Sequence, residues 1–347
     1  MNYNYIFITI DNTDIVIRFN DINKTGYSRF IPHDPYSLLK KNKIISFFFK
    51  VHKSSIINKY IKLPFKKIWN KYHNFDEITN IKFNNSNTIC FIIQARYFVS
   101  IIESYRDNFI QYLKTNYKNC KIVLYYSDLV SNHLLDFKKY GQCFDAIFTF
   151  EKNDALNNDF IYYEEQFFSD FDEKNSLLSF SVPKSDITFI GKAKNRLKDI
   201  INIFELLQKN NLVCDFHIIG VPFFKQKYSD KINYHSKGIP YYEILQHVIS
   251  SKCVLEILQR KGASNTARVS EAIYFDKKLL SNCLNLKTKP YYNPEYISVF
   301  TNPQDIDIEF LKKDTGIIDY KYKHNLSPLN FLNFVDKHLS SARNAKE

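Results

Sequence analysis

Apolar residues in this chain gather in short unbroken runs more often than they alternate with polar ones. Ile89–Gln94 (ICFIIQ), Lys121–Tyr126 (KIVLYY) and Asp145–Phe150 (DAIFTF) are runs of strand length. Strands that lack alternation are buried on both faces, as in a parallel sheet covered by helices. Between the first two runs, residues 98–116 place apolar side chains at helical spacing (Val99, Ile102, Tyr105, Phe109, Ile110, Leu113). Strand, helix, strand at this spacing predicts a parallel α/β unit. Nearer the start, residues 3–10 and 13–19 read as two short strands around the turn Asp11-Asn12-Thr13. Residues 54–72 read as a helix-spaced segment broken at Pro64.

Residues 166–186 (QFFSDFDEKNSLLSFSVPKSD) interrupt the pattern with charge, serine and one proline. A second α/β series then begins. Ile187–Gly191, Phe216–Val221, Ile232–His235, Cys253–Leu258, Lys278–Ser281 and Ile297–Thr301 read as strands. Residues 195–209, Tyr241–Ile249, Thr266–Phe275 and Pro328–Ser340 read as helices, the last with Ser327 as N-cap. The expected organisation is an N-terminal domain over 1–170, a linker over 171–186, a second domain over 187–326, and a C-terminal helix and tail over 327–347. Both domains are expected to be doubly wound. Ligands in such folds lie at the C-terminal ends of the strands, so two domains facing each other would make a cleft.

Composition narrows the function classes. The 347 residues include only 7 glycines, which leaves little room for a glycine-rich phosphate loop. Lys and Arg total 48 against 36 Asp and Glu, a net charge of +12 that favours anionic partners: nucleotide phosphates, nucleic acid or an anionic membrane face. The lysines are spread out. The densest group is Lys40, Lys41 and Lys43, followed by Lys50 and Lys53 around a phenylalanine run, a segment suited to a membrane surface or to an ordinary edge of the fold. Six cysteines form no CxxC pair and have no zinc-type spacing with histidine, so buried free thiols in a reducing compartment are expected. The start MNYNYIFITIDNTD lacks a basic n-region and long apolar core, and no stretch approaches the roughly 20 apolar residues of a membrane span. A cytoplasmic protein, at most peripheral on the inner membrane face, is the expectation.

The stretch with most chemistry is CVLEILQRKGASNTARVSEAIYFDKKLLSN, residues 253–282. A buried strand ends near Glu256, a polar loop with Gly262 follows, and Ser264-Asn265-Thr266 opens a helix. A helix start with free N–H groups favours an anion. Arg268 in the first turn runs against the usual dipole preference, and a diphosphate would give it work; Glu271 one turn on suits ribose hydroxyls. A second stretch, FIGKAKNR (189–196), carries a strand into Gly191 and a helix, with Lys192, Lys194 and Arg196 close behind. Carboxylate pairs of the DxD kind occur at Asp170/Asp172 and Asp305/Asp307, but neither follows a buried strand, so both read as chance. No P-loop, GxSxG or HExxH signature is present.

Residues from about 120 to 335 resemble a group of bacterial glycosyltransferases of the GT-B type that build capsules and lipopolysaccharide side chains. The matching stretches are KIVLYYSDLV, FDAIFTFEKNDA, DITFIGKAKNR, IPYYEILQHV, VLEILQRKGASNTARVSEAIYFDKKLLSN and KYKHNLSP. The resemblance implies two Rossmann-like parallel-sheet domains facing a cleft, with a nucleotide-sugar donor held mainly by the second. It places Gly191, Lys192 and Arg196 near the donor diphosphate and Tyr242 beside the base. Asn265, Thr266 and Arg268 come at the helix start, Glu271 on the ribose, and Glu256 toward the donor sugar or its phosphate. The Glu-x7-Glu pair of many retaining members is absent: Ala263 stands where the first glutamate would be. For an inverting reaction the general base would come from the N-terminal domain, with Asp128 first, then His133 and Asp107.

The implied function is transfer of a sugar from a nucleotide-sugar donor to a growing bacterial surface glycan, carried on a lipid. No metal ligands and no cofactor are expected, since arginine and a helix dipole would neutralise the leaving diphosphate. Nucleic acid is not an expected partner. The alternatives are a nucleic-acid-binding α/β protein, supported by charge and aromatics, and a non-catalytic nucleotide- or sugar-binding module.

Overall fold

The unbroken apolar runs become strands covered on both faces. The computed structural model describes residues 1–54, 57, 61, 63–132, 135–164, 167–170, 182–259 and 266–344. The chain divides into two units, Met1–Glu164 together with Leu329–Glu347, and Glu165–Pro328, each built on a six-stranded parallel sheet flanked by helices. Both units are α/β and Rossmann-like.

The first unit holds β1 (Tyr3–Ile10), β2 (Ser28–His33), β3 (Thr88–Gln94), β4 (Lys121–Tyr126), β5 (Ala146–Thr149) and β6 (Ile161–Tyr162), in the order β2-β1-β3-β4-β5-β6. In-register pairs such as Ile6↔Phe91 and Ile93↔Leu124 keep alternate side chains on common faces. Ile6, Ile8, Phe91, Ile93, Ile122 and Leu124 enter one core with Phe109 and Leu113 of the helix Glu103–Asn116. The opposite face is covered by the last helix of the chain, Pro328–Asn344. Its Phe331 packs within 6.3 Å of Phe7, 4.9 Å of Tyr125 and 5.4 Å of Phe148, ring centre to ring centre. The Tyr5 hydroxyl donates to Asp336 Oδ1 at 2.8 Å, and the Asn2 backbone N–H to the same oxygen at 2.7 Å. Expected as a separate tail, this helix is thus part of the first unit's core.

Two expectations in the first unit are corrected. Residues 13–19 form a helix, Thr13–Phe19, and not a strand: the Asn12 side chain accepts from the Asp14 N–H, and a parallel neighbour requires a crossover before the chain returns as β2. The helical pattern at 98–116 is two helices, Ala95–Ser100 and Glu103–Asn116, separated by extended Ile101 and Ile102. In the 54–72 segment, a 3-10 turn at Lys66–Tyr72 follows Pro64.

The second unit holds β7 (Ser185–Lys192), β8 (Cys214–Ile219), β9 (Asn233–His235), β10 (Ser251–Glu256), β11 (Lys278–Ser281) and β12 (Ile297–Val299), in the order β12-β11-β10-β7-β8-β9. Ser185 and Asp186, expected in the linker, already belong to β7. The helix Leu197–Lys209 buries Ile200, Ile201, Ile203, Phe204 and Leu207 against Ile187, Phe189, Phe216 and Ile218. The chain runs outward from β7 through β8 to β9, then returns to the other side of β7 as β10. The winding direction therefore reverses between β7 and β10, the place where open α/β sheets receive ligands.

Phe331 is fully buried. Phe331→Ala is expected to lower the unfolding free energy by about 3–5 kcal/mol, read from the denaturant midpoint of the near-UV signal; a change under about 1 kcal/mol would show that the helix does not close the first core.

Candidate functional site

The C-terminal ends of β7, β10 and β11 bring together side chains drawn from nearly ninety positions of sequence, and the order in which they bond is clear. At the end of β7, Gly191 lies under the Arg196 side chain. A Cβ at this position would stand 3.8 Å from Arg196 Nη2 and 3.3 Å from the Phe189 ring, so any larger side chain would crowd the turn. The Arg196 guanidinium donates to the carbonyls of Ile257, just past β10, and of Lys192. It clasps the two strands at the switch point. Burial pulls its pKa down, against the opposing pull of Glu256. The Arg196 Nε atom is buried with no hydrogen-bond partner among the described residues. Lys192 itself is exposed.

Glu256, the last residue of β10, is almost completely buried. One of its oxygens accepts from the Thr266 N–H at 3.0 Å and the Thr266 hydroxyl at 2.5 Å, and the other from the Ser281 hydroxyl at 2.5 Å. Ser281 is its register partner at the end of β11. Burial raises the Glu256 pKa, while the Ser281 and Thr266 hydrogen bonds and the nearby Arg268 charge oppose that rise. The carboxylate expected to face a sugar is thus turned to three protein donors, and its work here is to tie a helix start to two strand ends.

That helix is Ala267–Tyr274, capped by the Thr266 hydroxyl, which accepts from the Arg268 N–H at 3.2 Å. Arg268 Nη1 pairs with Glu271 Oε2 at 2.5 Å, and Glu271 Oε1 accepts from the Tyr241 hydroxyl at 2.9 Å. Arg268 therefore finds its counter-charge one turn along its own helix. Glu271, expected to face a ribose, has no exposed surface. Tyr241, beside the expected Tyr242, was not singled out from the sequence as a partner of Glu271. It opens the helix Tyr241–Ser250 and points inward, while its neighbour Tyr242 lies outside with its hydroxyl 3.1 Å from Glu243. Helical periodicity favours Tyr241 as the inward one, since it shares a face with the buried Leu245 and Val248.

A cavity of about 210 Å³ opens beside this cluster at the ends of β7 and β8, lined by Lys194, Asn195, Lys198, Gly220 and Lys225 among others. Three lysines around so small a space favour an anion. Asn265, Gly262 and Ser264 lie outside the described residues.

In the first unit, Asp128 follows the end of β4 and is exposed. Its Oδ1 accepts from the Leu129 N–H and the Asn132 amide, both at 2.8 Å. Asp107 stands 3.7 Å from Lys139 in a largely exposed ion pair. His133 lies outside the described residues. The DxD carboxylates have local work: Asp170 accepts from the Tyr274 hydroxyl, Asp305 bonds back to Asn302, and Asp307 caps the helix Ile308–Lys312; Asp172 lies outside the described residues. All six cysteines are free thiols.

No family model matches the sequence, and no curated protein matches it. Among solved structures the chain is similar to the Glycosylation Associate Protein (Gap123) complex from Streptococcus agalactiae, at 12% identity and a TM-score of 0.36, over 78% of this chain and 57% of that one. The chain thus spans less than two thirds of that structure's length. At this distance the likeness carries no argument about the site.

The Tyr241 hydrogen bond to a buried carboxylate is worth testing alone. Tyr241→Phe is expected to cost about 1–3 kcal/mol of stability, because Glu271 loses a donor that water cannot replace. An unchanged denaturation midpoint would mean that Glu271 does not depend on Tyr241.

Proposed function

We propose that the protein is a nucleotide-sugar-dependent glycosyltransferase of the GT-B type, with its donor site at the ends of β7, β10 and β11. The observation that carries this reading is the grouping of Arg196, the Thr266-capped helix start, Arg268 and Glu271 at the point where the second sheet reverses its winding. A donor diphosphate there meets a helix N-terminus and guanidinium groups, which suit two negative phosphates. Arg268 would turn from Glu271 to the diphosphate. That frees one Glu271 oxygen for a ribose hydroxyl, while Tyr241 holds the other oxygen in place. Glu256 keeps the helix start fixed through Thr266. Gly191 and Lys192 border the diphosphate, and exposed Tyr242 is available to stack on the base. As the glycosidic bond to the donor breaks, negative charge grows on the departing diphosphate, and the same cations stabilise it without a metal. Asp128 would take the proton of the acceptor hydroxyl.

The acceptor belongs to the same proposal: a growing bacterial surface glycan carried on a lipid at the inner membrane face. Support comes from the helix Lys43–Lys53, which leaves Ile44, Phe47 and Phe48 exposed at 70%, 62% and 56%. Exposed Phe65 and Ile68 follow in the chain, and Lys43, Lys50, Lys66, Lys67 and Lys71 are interspersed. Aromatic side chains interleaved with lysines suit shallow insertion into an anionic lipid surface. Among the described residues no helix is long and apolar enough to cross a membrane. A cavity of about 840 Å³ in the same region has apolar walls from Phe49, Leu63 and Trp69, with Lys66, Lys67 and Lys139 also lining it. It has room for an amphiphile with an anionic head.

A thermal-shift screen against UDP, GDP, CDP and CMP, with and without magnesium, tests the donor site. One nucleoside diphosphate is expected to raise the melting temperature without magnesium, since a ligand at about 100 times its Kd adds about 2.7 kcal/mol to the folded state. Arg268→Ala is expected to weaken that binding by about tenfold or more. Arg268→Ala and Glu271→Ala are each expected to abolish transfer. No shift with any nucleotide would sink the donor reading. Separately, the protein is expected to sediment with vesicles containing phosphatidylglycerol at low salt, and the Phe47→Glu/Phe48→Glu variant to remain in solution. Equal sedimentation of both would remove this helix from membrane docking.

A further inference from the structure

The second unit carries a cluster that the donor site does not use. Asp215 and His217 lie two apart on β8 and so share a face, and His247 reaches them from the last turn of the helix Tyr241–Ser250. One ligand-type atom from each of the three lies within 4.8 Å of the others. His217 Nε2 is 2.9 Å from Asp215 Oδ1, and His247 Nδ1 is 2.7 Å from Asp215 Oδ2. The two imidazole centres are only 4.2 Å apart. Both rings therefore aim a nitrogen at one carboxylate from two separate elements.

A second layer of contacts holds these groups. Thr188 on β7 donates its hydroxyl to Asp215 Oδ2 at 3.1 Å. His235 on β9 sets its Nε2 2.9 Å from His217 Nδ1, with the two rings stacked. The three side chains are 15%, 9% and 17% exposed for Asp215, His217 and His247. They are shielded but not sealed, so an ion can enter and keep a water.

We propose that Asp215, His217 and His247 form a zinc site that staples β8 to the helix Tyr241–Ser250. Two imidazoles and one carboxylate are a donor set suited to zinc, with water completing the tetrahedron. Starting from neutral imidazoles, binding releases no net proton. Without the ion, His217 donates its Nε2–H and His247 its Nδ1–H to the Asp215 carboxylate. On binding, each of these protons moves to the other nitrogen of its own ring, and the freed nitrogen lone pairs go to zinc. The His217 Nδ1–H then donates to His235 Nε2, whose own proton has moved to its Nδ1. A ligating histidine whose second nitrogen is held in this way has a fixed tautomer and orientation. The ion takes no part in sugar transfer. Its effect on the donor end is mechanical, because the helix it fixes by the last turn carries Tyr241 at its first residue.

The test uses the full chain, stripped with a chelator and then titrated with zinc in a competition assay. One zinc per chain is expected, with a raised melting temperature, and Asp215→Asn and His247→Gln each lose at least tenfold in affinity. The six free thiols are a rival source of zinc binding, so cobalt(II) is added to the unmutated protein as well. The expected spectrum shows tetrahedral d–d bands without a thiolate-to-metal charge-transfer band. Charge transfer from sulfur, unchanged affinity in the folded variants, or no stoichiometric binding would each overturn the proposal. None of these readouts uses a nucleotide, so the zinc site and the donor site stand or fall separately.

Discussion

A single buried carboxylate sets the geometry at the strand tips of the second unit. Glu256 sits at the tip of β10 with almost no solvent contact and three donors around it. A buried charge that loses its partners is costly, by several kcal/mol, so this arrangement is hard to distort. Ser281 ties the carboxylate to β11, and Thr266 ties it to the start of the helix Ala267–Tyr274. Arg196 bonds to the carbonyl of the very next residue, Ile257. The cation of the β7 turn and the N-terminus of the helix are thereby held to the same strand end. Arg268, Glu271 and Tyr241 extend this network outward by one bond at a time.

The sheets explain why these groups meet there. A parallel sheet covered on both faces needs crossovers, and the winding reverses between β7 and β10, the position where open α/β sheets form a crevice at the strand tips. The first unit obeys the same rule, with one difference in how its core is closed. Its outer face is completed by residues from the end of the chain, through Phe331 and Asp336. The first unit's core therefore draws on both ends of the chain, although strands β1 to β6 all precede residue 165.

The inner strands were legible because burial on both faces leaves no ambiguity: Lys121–Tyr126 and Lys278–Ser281 have the bounds that their apolar runs predict. The segment 13–19 was not, since IVIRF has the β-branched content of a strand, and only the Asn12 cap and the need for a crossover make it a helix. β2 escaped notice because Pro32 and His33 break its apolar run. Of the residues that meet at these strand tips, Glu256, Thr266, Arg268 and Glu271 stood out in sequence as a strand that runs into a polar loop and a capped helix, and Arg196 as a cation just past the Gly191 turn. Their partners were not, because Tyr241 and Ser281 reach them only through the sheet order. The Asp215, His217 and His247 group gave no local signal either. Two of its members look like ordinary strand alternation, and the third lies on a helix thirty residues later.

Hydrogen–deuterium exchange tests the central claim most directly, with the unmutated protein alone and with the nucleoside diphosphate that binds best. The account predicts slowed exchange in two peptides, one spanning residues 189–199 and one spanning 266–274, because the proposed donor site seats the diphosphate on the β7 turn and the helix start. Unchanged exchange in both, with protection appearing elsewhere in the chain, would contradict it.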